Sequence, residues 1–102
     1  MTETKAVSRK VVKVWYVTGM QVGIYDNCTQ TIRLYEDRVC IKSPYVRWIG
    51  NTGGYAEAHY RVTDPKVIDQ LKRLAQAEID DDADYTYQAR KIADIATGDY
   101  WY

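Results

Sequence analysis

Thr31-Ile32-Arg33-Leu34-Tyr35-Glu36-Asp37-Arg38-Val39-Cys40-Ile41-Lys42 reads as a β-hairpin, and its alternation sets the class of fold. Successive strand side chains point to opposite faces. Pairing Leu34 with Val39 and Ile32 with Ile41 about a Glu36-Asp37 turn puts all four apolar residues on one face. Arg33, Tyr35, Arg38, Cys40 and Lys42 then take the other. A one-residue slip would invert both sets, so the register is strongly specified. The implied element is a half-buried antiparallel sheet with a basic, aromatic outer side.

Toward the N-terminus, residues 11–18 are rich in β-branched and aromatic side chains and apolar on both faces, which predicts a central strand ending at Gly19. Residues 22–25 are its expected hairpin partner, followed by a turn at Asp26-Asn27. On the other side Pro44 interrupts the chain, and 45–49 and 55–62 flank Gly50-Asn51-Thr52-Gly53-Gly54. The preferred register has a five-residue loop there. It sets Trp48 beside Ala56 and Val46 beside Ala58 on the inner face, with Tyr60 and Val62 following. Arg47 then opposes Glu57, and Tyr45 opposes His59, on the outside. A loop one residue shorter would turn Arg47 inward without a partner, at a desolvation cost.

Asp64-Pro65 predicts a helix start, because Asp can cap free amides and Pro needs no donor at the first helical position. Val67, Ile68, Leu71, Leu74, Ala75 and Ile79 recur at helical spacing and should cover the sheet. Asp80-Asp81-Asp82 is expected to end that pattern. A second helix, over about 83–97, runs through Tyr85, Ala89, Ile92 and Ala96 to a stop at Gly98. The expectation is one α+β domain, with a mostly antiparallel sheet of five to six strands followed by two C-terminal helices on one face. A flexible N-terminus covers 1–10, the sheet 11–62, the helices 64–97 and an aromatic tail 98–102. Tyr100, Trp101 and Tyr102 in that tail are expected to fold back onto the sheet, since frayed rings cost solubility.

At 102 residues the chain has room for one core. It holds ten Tyr and three Trp but no Phe, so every ring carries a polar handle. Tyr25, Tyr35, Tyr45 and Tyr55 are evenly spaced, but their flanking residues do not repeat, which strand-plus-turn lengths alone would produce. No apolar stretch is long enough to cross a bilayer as a helix, and no secretory leader precedes residue 10, so a cytoplasmic protein with free Cys28 and Cys40 is expected. The Asn27-Cys28-Thr29 sequon is then accidental. Net charge is zero, yet residues 1–63 hold nine Lys and Arg against five Asp and Glu, while 64–102 hold five against nine. The two halves are electrically opposite.

Catalytic and metal chemistry finds little to stand on. His59 is the only histidine, and the two cysteines lack the close spacing of a zinc site. A Cys40–His59 nucleophile pair, with Arg33 and Arg38 lowering the thiol, is the one enzyme alternative. Asp80, Asp82 and Asp84 imitate the start of a calcium loop, but Tyr85 replaces the required Gly and Lys91 the bidentate Glu. The Gly50–Gly54 stretch is followed by no Lys-Ser or Lys-Thr, so it is a turn and not a phosphate cradle. No cofactor is expected.

More suggestive is the proposed outer face, which would gather Arg33, Tyr35, Arg38, Lys42, Tyr45, Arg47, Tyr55, His59 and Arg61. Tyr and Arg dominate many protein interfaces. The expectation is therefore a small non-enzymatic protein that docks on a larger protein or complex and inhibits or regulates it, of the kind phages and mobile elements carry. The alternative is binding of single-stranded nucleic acid or a nucleotide, with rings stacking on bases and cations on phosphates. A structural reading, with helices covering this face, also fits. A second candidate surface is the acidic elbow of Asp80, Asp81, Asp82 and Asp84, imitating nucleic-acid phosphates. If residues 11–17 lay at a sheet edge, they could pair with another copy in a homodimer.

Overall fold

The computed structural model describes residues 10–22, 25–44, 48–49, 54–55 and 58–98. In chain order the elements are β1 (Val11–Val22), β2 (Tyr25–Tyr35), β3 (Val39–Ser43), β4 (Trp48–Ile49), β5 (Gly54–Tyr55), β6 (Ala58–Val62), α1 (Pro65–Asp81) and α2 (Thr86–Thr97). The fold is α+β, an antiparallel sheet followed by two helices.

The founding hairpin has the register that its alternation demands: Leu34 opposes Val39, Ile32 opposes Ile41, and Arg33 opposes Cys40. All four apolar residues are buried to within 1% of complete. Around it the sheet is smaller than expected. Its order is β1-β2-β3-β6, four strands rather than five or six, and β4 and β5 form a separate two-stranded ladder. The reason lies in β6. Residues 58–62 pair with β3, Ile41 against Tyr60 and Val39 against Val62, which continues the apolar face in register. They do not extend a hairpin from 45–49. With β4 and β5 outside the sheet, its core no longer dictates their register. Ile49 pairs with Gly54 and Trp48 with Tyr55, which leaves a four-residue connection and not the five-residue loop.

Three further expectations are corrected at the N-terminal strand. β1 is an edge strand, not a central one, and it continues to Val22 instead of ending at Gly19. Gly19 sits within it at φ +73, between the shifted pairs Val17–Gln30 and Met20–Cys28. A residue at positive φ allows such an irregularity without breaking the strand. Nor do residues 22–25 form a separate partner strand with a turn at Asp26-Asn27: Val22 ends β1 and pairs with Tyr25, the first residue of β2, and Asn27, at φ 58, lies within β2 near the same irregularity.

The helices cover one face only. Trp15, Ile32, Leu34, Val39 and Ile41 from the strands meet Ile68, Leu71, Ala75, Ala89 and Ala93 from α1 and α2 in one buried cluster. Asp64 caps α1, its carboxylate accepting from the Lys66 amide at 3.0 Å, with Pro65 first in the helix. Gly98 closes α2 at φ 76, and its amide donates to Asp94 O. Ile79 departs from its expected place and is 75% exposed. Near the end of α1, Glu78 is the residue turned to the sheet, held by polar contacts with β1. No described helix is long and apolar enough to cross a membrane. The terminal stretches 1–9 and 99–102, including the aromatic tail, lie outside the described residues.

Candidate functional site on the outer sheet face

Because α1 and α2 occupy one side, the strand alternation sends the remaining side chains to a face that neither helix covers. Register places them in rows. Val14, Arg33, Cys40 and Arg61 form one row across the four strands, and Tyr16, Thr31, Lys42 and His59 form the next. Arg33, Lys42, His59 and Arg61 are exposed, and Tyr16 is 57% exposed. Thr31, Arg33, Cys40, Lys42, His59 and Arg61 line a shallow concavity of about 450 Å³. No carboxylate stands at a described outward position of these strands.

At the hairpin end Arg38 is held by three neighbours. Its guanidinium lies 3.8 Å from the centroid of the Tyr35 ring and donates to Asp37 at 2.7 Å, with Cys40 as a further hydrogen-bonding neighbour. Desolvation would lower its pKa, but the hydrogen bond and charge of Asp37 and the contact with Cys40 outweigh that and raise it above the ordinary Arg value. Cys40 also stands diagonally across from His59 on neighbouring strands, since its direct partner is Arg61. Both cysteines are free thiols. Among the described residues no group of His, Cys, Asp or Glu side chains could hold a metal ion.

The structure thus brings together Arg33, Tyr35, Arg38, Lys42, His59 and Arg61 from the nine residues of the expected face. Tyr55 is in the separate β4–β5 ladder. Tyr45 and Arg47 fall outside the described residues. The acidic elbow is assembled differently: its side chains build the connection between the helices. Asp80 accepts from Gln76 Nε2 at 3.0 Å, Asp81 accepts from the Tyr85 hydroxyl at 2.8 Å, and Asp82 caps α1 in the left-handed conformation. Asp84 accepts from both the amide and the hydroxyl of Thr86, which lowers its pKa despite an opposing desolvation contribution. Asp82 thus closes α1 through its backbone amide, and Asp84 holds the first residue of α2.

Two polar nodes on the covered side were not anticipated. Glu78 accepts from the Trp15 indole and the Tyr85 amide, each at 2.8 Å, and pairs with Lys13 at 2.7 Å. Deeper in, fully buried Gln30 donates to Asp94 Oδ1 at 3.1 Å and, at 3.5 Å, to Ser43, while Arg90 stands 3.4 Å from Asp94 Oδ2. The signal was present as polar residues at inward positions: Gln30 and Ser43 on their strands, Asp94 one residue after Ala93 on α2. Comparison with known proteins returns no matching family model, no matching curated protein and no matching solved structure.

Proposed function

We propose that the protein is a small non-enzymatic binding protein that docks on a larger protein or complex through the outer face of its four-stranded sheet, and that it inhibits or regulates that partner in the cytoplasm. One observation carries this. Both helices pack on the same side of the sheet, and the opposite side presents Tyr16, Arg33, Lys42, His59 and Arg61 in two adjacent rows. Tyr and Arg combine large contact area with directional hydrogen bonds, which makes them frequent energetic centres of interfaces. A rigid sheet also presents them with little conformational entropy to lose on binding. Arg33 and Arg61 make no hydrogen bond or ion pair among the described residues, so their replacement should leave the fold intact.

The test is affinity capture from host extract with tagged wild-type protein, Arg33→Ala/Arg61→Ala and Tyr16→Ala/Tyr35→Ala, each checked for an unchanged melting temperature. A captured partner should fall roughly tenfold or more in abundance with either double variant. Equal recovery by all three proteins would sink the docking proposal.

The concavity of about 450 Å³ between Arg33, Lys42 and Arg61 favours one second reading, a single-stranded nucleic acid or nucleotide with its phosphates there. Nucleic acid that co-purifies with the wild type and leaves in a high-salt wash would support it; a clean protein spectrum before the wash would count against it.

A further inference from the structure

Beyond the outer face, the geometry points to a second binding surface: the edge of β1 between Lys13 and Thr18 accepts an extended segment of another protein as an added strand. β1 ends the sheet order, so its far edge pairs with no described strand. Such an edge presents N–H and C=O groups that another strand's backbone satisfies. Register is regular there from Lys13 opposite Leu34 to Val17 opposite Gln30, and it shifts on either side of that stretch. Two cavities follow it. One, of about 390 Å³, lies between Tyr16-Val17-Thr18 and Thr86, Tyr87 and Arg90 of α2. The other, of about 370 Å³, runs back from Tyr16 to Lys13 beside Glu78 and Ala83. They share Tyr16, Asp84 and Thr86 and so form one groove. Outward Tyr16 and inward Val17 line the same cavity, which puts the groove at the edge of the sheet and not on either face.

Little guards this stretch. β1 contains no Pro, and Lys13, the charge that could block the edge, is held by Glu78 at 2.7 Å. The other charges along the groove are engaged as well: Asp84 accepts from Thr86, and Arg90 stands 3.4 Å from Asp94. Recognition therefore falls to main-chain hydrogen bonds and uncharged side chains. Alternation then sets the chemistry of the occupant. On the outer side its residues lie beside Val14 and the 57% exposed Tyr16, where β-branched or aromatic partners stabilise a strand pair. On the helix side they meet the polar rim of Asp84, Thr86 and Arg90. The fitting segment is a short strand in which β-branched or aromatic residues alternate with polar ones. A second copy of the chain fits less well. The regular stretch spans about 17 Å and is one chain wide, whereas a stable dimer buries about 800 Å² on each partner.

The probe is a fluorescent octapeptide, Lys-Val-Ser-Val-Thr-Val-Ser-Lys, titrated into the full chain by anisotropy, with two versions N-methylated at alternate residues. In an added strand one set of amides faces β1 and the other faces solvent. One methylated version should therefore bind roughly tenfold or more weakly than the parent, and the other about as well. Affinity should change little between low and physiological ionic strength, and amide exchange should slow within residues 13–18 when the peptide is added. Arg33→Ala/Arg61→Ala should leave the affinity unchanged, which separates this site from the outer face; a loss would move the peptide to that face and overturn the proposal. No binding at millimolar peptide, equal binding by the two methylated versions, or protection confined to other strands would overturn it too. Protection of 13–18 that grows with protein concentration in the absence of peptide, with matching dimerisation in sedimentation, would replace the partner segment with a second copy.

Discussion

Glu78→Ala is expected to lower the unfolding free energy by about 3 kcal/mol, a large part of what holds a domain of this size. The carboxylate is a junction of three elements. It takes the Trp15 indole N–H from β1, the Tyr85 amide from the connection to α2, and the Lys13 ammonium, while its own carbonyl accepts from the amides of Asp82 and Ala83. Its side chain is only 8% exposed. Alanine would leave the indole and the amide without partners, each costing about 1–3 kcal/mol if water cannot reach it. Glu78→Gln keeps an acceptor for both and loses the charge, so it should cost markedly less. Urea denaturation of the wild type and the two variants gives the comparison, and equal losses for Ala and Gln would contradict the hydrogen-bond account.

The same junction fixes a pH dependence. Burial alone would raise the Glu78 pKa, but hydrogen bonds from Lys13, the Tyr85 amide and Trp15 more than offset it, and the value lies below the usual carboxylate. A group whose folded pKa is depressed contributes stability that is full above its unfolded pKa and is lost as pH falls through the folded one. Wild-type stability should therefore decline more steeply than that of Glu78→Gln below the ordinary Glu range. Parallel slopes would mean that Glu78 is not the group responsible.

The second large effect is expected at the buried polar node. Asp94 is 1% exposed and accepts from Gln30, itself 0% exposed, with Arg90 on its other oxygen. Asp94→Ala leaves the Gln30 amide without its principal acceptor in a place water does not reach and should cost about 2–3 kcal/mol. Asp94→Asn retains an oxygen that can face Gln30 and should retain part of the stability. Among the described residues Gln30 Oε1 has no hydrogen-bond partner, so this cluster is under-satisfied there before any substitution. Thermal melts of Asp94→Ala and Asp94→Asn test the estimate. A melting temperature unchanged in Asp94→Ala would show that the node contributes nothing to stability.

The sequence was most legible where local chemistry and burial agree. The hairpin of β2 and β3 has opposed apolar pairs, Asp64-Pro65 has capping chemistry, and Gly98 has the φ that ends a helix; each is decided within a few residues. Long-range pairing is a different kind of information. That β6 joins β3 depends on Tyr60 and Val62 meeting Ile41 and Val39, and the same alternation would also have served a hairpin with 45–49. Apolar residues on both faces of β1 suggested a central strand, but Val11, Val12 and Tyr16 are partly or largely exposed at an edge. The outer face was read through the same hairpin logic. Its core of Arg33, Lys42, His59 and Arg61 came together because alternation alone decides it, whereas Tyr55 was assigned to it through a register that the chain does not adopt.

The pair Ser43–Ala58 gives the molecule a modular construction. β3 and β6 are the two arms of one hairpin, and residues 44–57 are the excursion between them. Closing a longer loop adds only slowly to the entropic cost, by about 0.6 kcal/mol for each doubling of length. As far as closure entropy goes, the length of this connection is therefore weakly constrained, provided the two arms still meet. By sequence, Tyr45, Arg47 and Tyr55 lie between the arms, and Arg33, Lys42, His59 and Arg61 lie in the four-stranded sheet. Lengthening or shortening the connection between the two arms should therefore change the stability of the body only slightly through loop closure.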